Sequence, residues 1–264
     1  MDFTKMHGCG NDYIFLNCMG GVPDDLSGLA RRLSDRRFGA GGDGIICVCP
    51  SGRADFKMRM FNADGSEGAM CGNGIRCFGK YVYDKGLTDK VHLVIETLSG
   101  ERELSLLMEN GKVEGAAVGM GIPALQPSVQ ITVKGSAYTA IPVSMGNSHA
   151  VVEVDDPAGL DLQAIGPAVE RHPIFPHRVN AEFVRVLNRN ELQMRVWERG
   201  SGETLACGTG ACASAAAMMA AGKLDREAAV HLAGGDLMVR WDGKSGQMLM
   251  TGPAVTVFDG KLAD

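Results

Sequence analysis

A chain that repeats the same structural punctuation in the same order is constrained to fold as two related units, and here the punctuation is built around cysteine. Cys71 and Cys207 each open a Cys-Gly-x-Gly tetrapeptide, 136 residues apart (207 − 71). Laid without a gap over residues 193–210, residues 57–74 match at six of eighteen positions: Met58/Met194, Arg59/Arg195, Glu67/Glu203, Cys71/Cys207, Gly72/Gly208 and Gly74/Gly210. The same shift brings Gly10-Asn11 onto Gly146-Asn147. Nearby shifts bring Val91-His92-Leu93 onto Val230-His231-Leu232, and Met120, Pro123 and Ala124 onto Met250, Pro253 and Ala254. With 36 glycines in the chain any one match carries little weight, but five landmarks in one order describe two divergent copies with loop insertions.

Length agrees with duplication, since 264 residues suffice for two hydrophobic cores of ordinary domain size. A net charge of −5 disfavours electrostatic binding to nucleic acid or to an acidic membrane, which leaves a small soluble partner. Asp2 and Lys5 precede any apolar run, and no stretch approaches the ~20 apolar residues of a membrane span. The chain therefore reads as cytoplasmic. Eight cysteines in 264 residues are too sparse for a disulfide-stapled secreted fold and read as reduced thiols. Cys9, Cys18, Cys47 and Cys49 lie in apolar or glycine-rich company and read as small buried hydrophobes.

Within each copy a strand delivers the chain through a turn to a helix. Phe56, Met58 and Met60 alternate with Lys57 and Arg59, and residues 192–197 repeat that period of two. A polar glycine-containing turn follows, then Cys-Gly-x-Gly, then a helical pattern. Ile75, Phe78 and Val82 mark one face of the first helix, with Lys85-Gly86 as its stop. The second helix, 211–221, is alanine-rich with Ser214 as its polar residue, so it should be buried on all sides. An earlier helix is expected over 25–37 from Leu26, Leu29, Ala30 and Leu33. Hairpins are expected over 91–106, at its Ser-Gly corner, and over 229–241, at Gly234-Gly235. The halves meet near 115–122, and the tail after Met250 is expected to return to the first half, giving units 1–116 with 253–264, and 117–252.

A thiol at a helix start meets backbone N–H groups and the positive end of the helix dipole, which favour the thiolate over its usual pKa of ~8.5. The amides of Gly72, Asn73, Gly208 and Thr209 are equally suited to a substrate carboxylate. Two thiols and two helix ends converging on one carbon suit removal of a proton from one face and delivery to the other. A weakly acidic α-hydrogen needs that support, since its carboxylate gains enolate charge as the proton leaves. Neither motif contains a lysine for a Schiff base, so no pyridoxal phosphate is expected, and no metal. Other readings remain open at this point. Cys71-x5-Cys77 and Cys207-x4-Cys212 are poor metal knuckles, a Cys-His hydrolase through His149 leaves the second motif unexplained, and thiol exchange would prefer Cys-x-x-Cys. Two structural cysteines, or a ligand-binding or redox-sensing protein, would also carry such motifs.

The blocks HGCGNDYIFLN, FNADGSEGAMCGNGIRCF, MGNSHAVVEVDD, FPHRVNAEFV and WERGSGETLACGTGACASAA resemble the diaminopimelate epimerase family in order and over almost the whole chain. The resemblance implies an α/β (α+β) fold of two pseudo-two-fold-related domains, each a curled, mostly antiparallel sheet around a central helix, with the active site in the interdomain cleft. It implies a cofactor-independent isomerase that interconverts LL- and meso-2,6-diaminopimelate on the route to lysine and peptidoglycan. It makes Cys71 and Cys207 the two acid/base thiols, tuned by His149 and Glu198, and gives the carboxylate to the amides of Gly72, Asn73, Gly208 and Thr209. Asn11, Glu198 and the backbone near Arg199 would receive the α-ammonium, while Asn62, Asn147, Asn180 and Arg199 would read the distal end. Taken alone, Asn62 is equally a turn residue, Asn11 and Asn147 are strand caps, and His149 is a buried histidine. Ser148 and Ala150 depart from the family's usual block, which would loosen the turn holding Asn147 and His149. Gly44 stands where some members carry glutamine, and Phe258 where some carry tyrosine at a homodimer interface. A racemase for a single-carboxylate amino acid is the neighbouring alternative; it would leave Asn62, Asn180 and Arg199 unpaired.

Overall fold

The computed structural model describes residues 1–262. In chain order it contains β1 (Asp2–Gly8), β2 (Asn11–Asn17), α1 (Leu26–Ser34), β3 (Gly44–Cys49), β4 (Phe56–Asn62), β5 (Glu67–Gly68), α2 (Gly72–Asp84), β6 (His92–Thr97), β7 (Gly100–Glu109) and β8 (Lys112–Gly121). Then follow β9 (Ala124–Leu125), β10 (Val129–Val133), β11 (Ser136–Ser144), β12 (Ser148–Glu153), α3 (Leu162–Glu170), β13 (Asn180–Asn188), β14 (Glu191–Glu198) and β15 (Gly202–Thr204). The chain closes with α4 (Gly208–Ala220), β16 (Glu227–Leu232), β17 (Gly235–Trp241), β18 (Met248–Pro253) and β19 (Val255–Lys261). It divides into two compact units, Met1–Gly119 with the segment from Thr251 onward, and Met120–Met250. Residues 263 and 264 of the expected tail lie outside the described residues.

Each unit repeats one topology. In the first, β1 pairs antiparallel with β2, β2 parallel with β3, β3 antiparallel with β4, β4 parallel with β6, and β6 antiparallel with β7. In the second, β11, β12, β13, β14, β16 and β17 follow the same sequence of directions. The outer strand before each hairpin is also matched: β19 lies antiparallel on β1, and β10 on β11. The short strands β5 and β15 fold back on β4 and β14 just before the cysteine helices. A parallel step needs a crossover, and the segments 18–43 and 154–179, which carry α1 and α3, supply it.

The cores differ in grain. Helix α2 packs on β1, β2, β3 and β7 and buries Ile75, Cys77, Phe78, Tyr81 and Val82. Phe15 stacks on Tyr81 at 5.6 Å and Phe56 meets Phe78 edge-on at 6.3 Å. Helix α4 packs on six strands of its own unit and is buried around its whole circumference up to Met219, with Thr209 partly accessible. Alanine makes this possible, because a helix without bulk lets the sheet close around it; Ser214 turns its hydroxyl to the Met194 sulfur at 3.3 Å.

Helix α1 ends at Ser34, short of the expected Arg37. The Asp35 carboxylate accepts from the Arg37 and Phe38 amides at 2.7 and 2.8 Å, a local alternative to helical bonding that turns the chain away. Helix α3 has no counterpart among the expected elements. Gly166 and Pro167 hide its pattern, and Gly166 is there because a Cβ would stand 2.5 Å from the Trp197 ring.

Candidate active site

In the first unit, the strand β4 and a turn held by the Asp64 carboxylate, which accepts from the Ser66 amide and hydroxyl at 2.8 and 2.6 Å, deliver the chain to Cys71. Cys71 is the N-cap of α2, and its sulfur accepts from the Gly74 amide at 3.3 Å. Cys207 caps α4 in the same way, with the Gly210 amide at 3.4 Å. Each sulfur therefore sits at the positive end of a thirteen-residue helix, where anionic character is stabilised. Glycine at 74 and 210 brings the backbone close: a Cβ there would stand 3.4 and 3.3 Å from the Cβ of the capping cysteine.

Around Cys71 the polar partners come from β2 and the loop before β3. The thiol donates to Asn11 Oδ1 at 3.1 Å, and Asn11 Nδ2 donates to Asp43 Oδ2 at 2.7 Å. Arg36 joins Asp43 at 2.9 Å to Asp12 at 2.7 Å, and Lys5 meets Asp12 at 2.6 Å. Burial would raise the Asp12 carboxyl, but hydrogen bonds from Arg36 and Lys5 outweigh it and hold the group below the usual carboxylate range. The buried Tyr13 hydroxyl contacts Cys71 and Asn11, and burial first, then the neighbouring thiol, push it well above an ordinary phenol.

Around Cys207 the neighbours include two carboxyls, Glu198 and Glu182. Thr209 Oγ1 lies 3.5 Å from the sulfur and accepts from Asn147 Nδ2 at 3.2 Å. Asn147 Oδ1 faces His149 Nε2 at 3.0 Å, and His149 Nδ1 faces Glu182 Oε1 at 2.7 Å, with both side chains fully buried. Glu198 receives the Thr204 hydroxyl at 2.5 Å and also bonds Cys207; burial raises its carboxyl above the usual range. Helix-start stabilisation was expected to lower the thiols, but Cys207 is corrected in the opposite direction. Burial, then Glu198 and Glu182, push it well above an ordinary thiol, outweighing the Thr209 and Gly210 hydrogen bonds.

The remaining expected residues fall into local networks. Asn180, across from His149 in the β12–β13 ladder, accepts from the Arg199 amide at 2.9 Å and donates to Ser148 O at 3.2 Å. Arg199 donates through its guanidinium to His177 O at 3.2 Å. Asn62 takes the turn role, donating to Ser66 Oγ at 3.0 Å, and Asn73 Oδ1 accepts from the buried Arg76 at 2.9 Å. Gly72 and Gly208 are the first residues of their helices. The turn at Ser148 is not loosened: Met145 N–H donates to Asn147 O at 3.1 Å and Gly146 N–H to Ser144 Oγ at 3.2 Å. At position 44 a Cβ would stand 2.1 Å from Phe61 O, so glutamine there requires a displaced backbone.

Sequence reasoning missed Tyr13, Asp43, Glu182 and Thr204. Tyr13 stands 136 residues before His149, so the repeat itself could have found it. Glu182 had only its place in a buried strand as a signal. No disulfide joins the cysteines, and among the described residues no group of three or more His, Cys, Asp and Glu side chains is placed to hold a metal ion.

The sequence profile of the diaminopimelate epimerase family matches residues 3–125 and 141–257. The chain belongs to the diaminopimelate epimerase family. It is an isomerase of the epimerase class. The diaminopimelate epimerase of Acetivibrio thermocellus is 50% identical over 99% of this chain and 98% of its own, and that of Moorella thermoacetica 51% over 98% of each. A phenazine biosynthesis protein of the PhzF family from Bacillus anthracis has a similar structure, with TM-score 0.77 at 18% identity over 100% of this chain and 99% of its own. A hydroxyproline epimerase from Agrobacterium vitis gives 0.76 at 16%, over 98% and 91%. These likenesses support the two-domain α+β fold. No helix of the described residues is long and apolar enough to cross a membrane.

Proposed function

We propose that this chain interconverts LL- and meso-2,6-diaminopimelate, a step on the route to lysine, by exchanging the α-hydrogen between the thiols of Cys71 and Cys207. The observation that carries this reading is the duplicated N-cap: the repeat supplies two sulfurs, each bonded by a helix-start amide. One sulfur, as thiolate, takes the α-proton; the other, as thiol, gives its proton to the opposite face of the carbanion. Configuration inverts and the two sulfurs exchange protonation states, so the same groups serve the reverse reaction. The amides of Gly72, Asn73, Gly208 and Thr209 hold the reacting carboxylate as it gains charge; one such donor is worth about 3 kcal/mol. Asn11 and Glu198, with the backbone at Arg199, take the α-ammonium, which also offsets the carboxyl charge that raises Cys207. His149 and Glu198 tune the thiols.

Substrate choice rests on Asn62, Asn147, Asn180 and Arg199. The bond to His177 uses one of five guanidinium donors, and the fork that remains suits a second carboxylate. The enzyme acts in the cytoplasm, where thiols stay reduced. It acts as a homodimer through β19, where Val255, Val257 and Phe258 are exposed. Light scattering should give twice the chain mass, falling to one chain in Phe258→Arg; a monomeric wild type ends that part of the reading. For the reaction, reduced enzyme in deuterated water should wash deuterium into the α-position of LL-diaminopimelate while meso product forms. Absence of both, or equal turnover of single-carboxylate amino acids, would overturn the assignment.

A further inference from the structure

The bulkiest fully buried side chain among the described residues is a charged one, Arg76, and the mechanism above gives it no task. It stands one turn inside α2 and reaches back to the helix start. Nη1 donates to Gly72 O at 3.2 Å, and Nη2 to Asn73 Oδ1 at 2.9 Å. Nε donates to Pro253 O at 3.2 Å, on the last residue of β18. Nη2 also donates to Cys9 Sγ at 3.7 Å, in the corner between β1 and β2 that leads to Asn11. That corner is shaped around the guanidinium: a Cβ on Gly8 would stand 2.9 Å from Nη2, and Cys9 holds a φ of 54°, uncommon for a residue with a side chain.

Gly72 O belongs to the same peptide unit as the Asn73 N–H, one of the amides assigned to the reacting carboxylate. A cation bonded to that oxygen draws electron density from the nitrogen and makes the N–H a stronger donor, as linked hydrogen bonds polarise one another. Arginine suits this task because it stays protonated in proteins. Its charge is felt at this end of the helix: burial pushes the Cys77 thiol up to about 12, while Arg76 draws it down and the Cys71 sulfur raises it. The remaining bonds tie the first turn of α2 to the β1–β2 corner, and so to Asn11. The second copy is built differently. The position 136 residues after Arg76 (212 − 76) is the buried Cys212, which brings no guanidinium to the Gly208–Thr209 peptide.

We infer that Arg76 is a positioning residue for the reacting carboxylate, one that polarises the Gly72–Asn73 peptide and locks it to the corner carrying Asn11. This rests on the two-thiol reading and deepens it, because the amides then hold the carboxylate unequally and the first unit supplies the stronger donor. The carboxylate gains charge as the α-proton leaves, so a strengthened amide acts mainly on the transition state. Arg76 makes no bond to substrate and works through the peptide it holds. Tyr13, Asn11, Cys77 and the Gly74 amide also bear on Cys71 and are kept in every variant below.

The test compares full-length wild type with Arg76→Met, which keeps an unbranched stem but neither donors nor charge. With LL-diaminopimelate, kcat should fall about tenfold while KM rises no more than about threefold, the pattern of an interaction that strengthens in the transition state. Arg76→Lys keeps a charge but not the fork, and its kcat should lie between the two. The deciding readout is local: the pH midpoint for alkylation of Cys71 by iodoacetamide in a Cys207→Ser background, followed by peptide mass spectrometry. Arg76→Met should raise that midpoint by on the order of half a pH unit, because a cation favours the thiolate. In a Cys71→Ser background the Cys207 midpoint should stay in place. An unmoved Cys71 midpoint, equal movement at both sulfurs, or wild-type kcat in Arg76→Met overturns the inference. If circular dichroism shows the methionine variant unfolded, Arg76→Lys decides: a lowered kcat supports the inference and a wild-type kcat overturns it. Deuterium wash-in by wild type is measured separately; its absence sinks the reaction assignment, while the Cys71 midpoint still reports on Arg76.

Discussion

The surroundings of Cys71 and Cys207 can be compared atom for atom because the repeat supplies the alignment. Both sulfurs cap a thirteen-residue helix and take an amide from its third residue. Beyond that they diverge. Tyr13 stands where His149 stands in the second copy, and Cys71 meets the Asn11 amide oxygen and the Tyr13 hydroxyl where Cys207 meets the Thr209 hydroxyl and the Glu198 carboxyl. Helix α2 anchors itself with aromatic rings, while α4 is sheathed by strands. The scaffold was copied and the polar shell was not.

Losing either sulfur should break the comparison most severely. Cys71→Ser and Cys207→Ser are each expected to lower interconversion about 10²–10⁴-fold, read by the conversion of LL to meso substrate, since a hydroxyl is a poor base at neutral pH. Retained activity in one of them would make that sulfur a spectator. Glu198→Gln is expected to cost about 10²-fold in turnover, by the same measure, with no loss of stability. The sign follows from its raised carboxyl. Stability linked to Glu198 is present while it is protonated and is lost as pH rises through its folded value. The glutamine variant should therefore melt with wild type in acid and progressively above it toward neutral and alkaline pH.

A third comparison sets the two helix-start glycines against each other. A Cβ at Gly210 meets the buried Glu182 carboxylate at 2.7 Å, whereas at Gly74 it meets the methyl end of Ile46 at 2.6 Å. A methyl end can swing aside and a bonded carboxylate cannot. Denaturant titration should show Gly210→Ala losing about 1–3 kcal/mol and Gly74→Ala less. The smallest effect concerns Asp12. Its carboxyl is held low by Arg36 and Lys5, so its contribution is present above the ordinary carboxylate range and is lost as pH falls through the lowered value. Asp12→Asn should lower stability by roughly 1 kcal/mol at neutral pH and converge with wild type in acid.

Much of this was legible in the chain because local chemistry wrote it there. Cysteine followed by Gly-x-Gly after an alternating strand already places a sulfur at a helix start. Alanine over 211–221 already announces a helix with no outward face. Helix α3 was hidden by Gly166 and Pro167, one serving Trp197 and the other breaking the pattern. Glu182 was hidden because a strand buried on both faces reads as apolar whatever one of its residues does; its role depends on His149, 33 residues away. Asn62 donates to Ser66 within its own turn, a bond that its place in Asn-Ala-Asp-Gly already suggested.

By itself the sequence determined the duplication, the two capping cysteines, the small-residue helix and the family. Those follow from spacing and side-chain size, which are properties of neighbours along the chain. Only the tertiary structure decided which way each asparagine faces and that Cys207 is held above an ordinary thiol. Hydrogen-bond direction and desolvation depend on which strands lie side by side, and no residue carries that information alone.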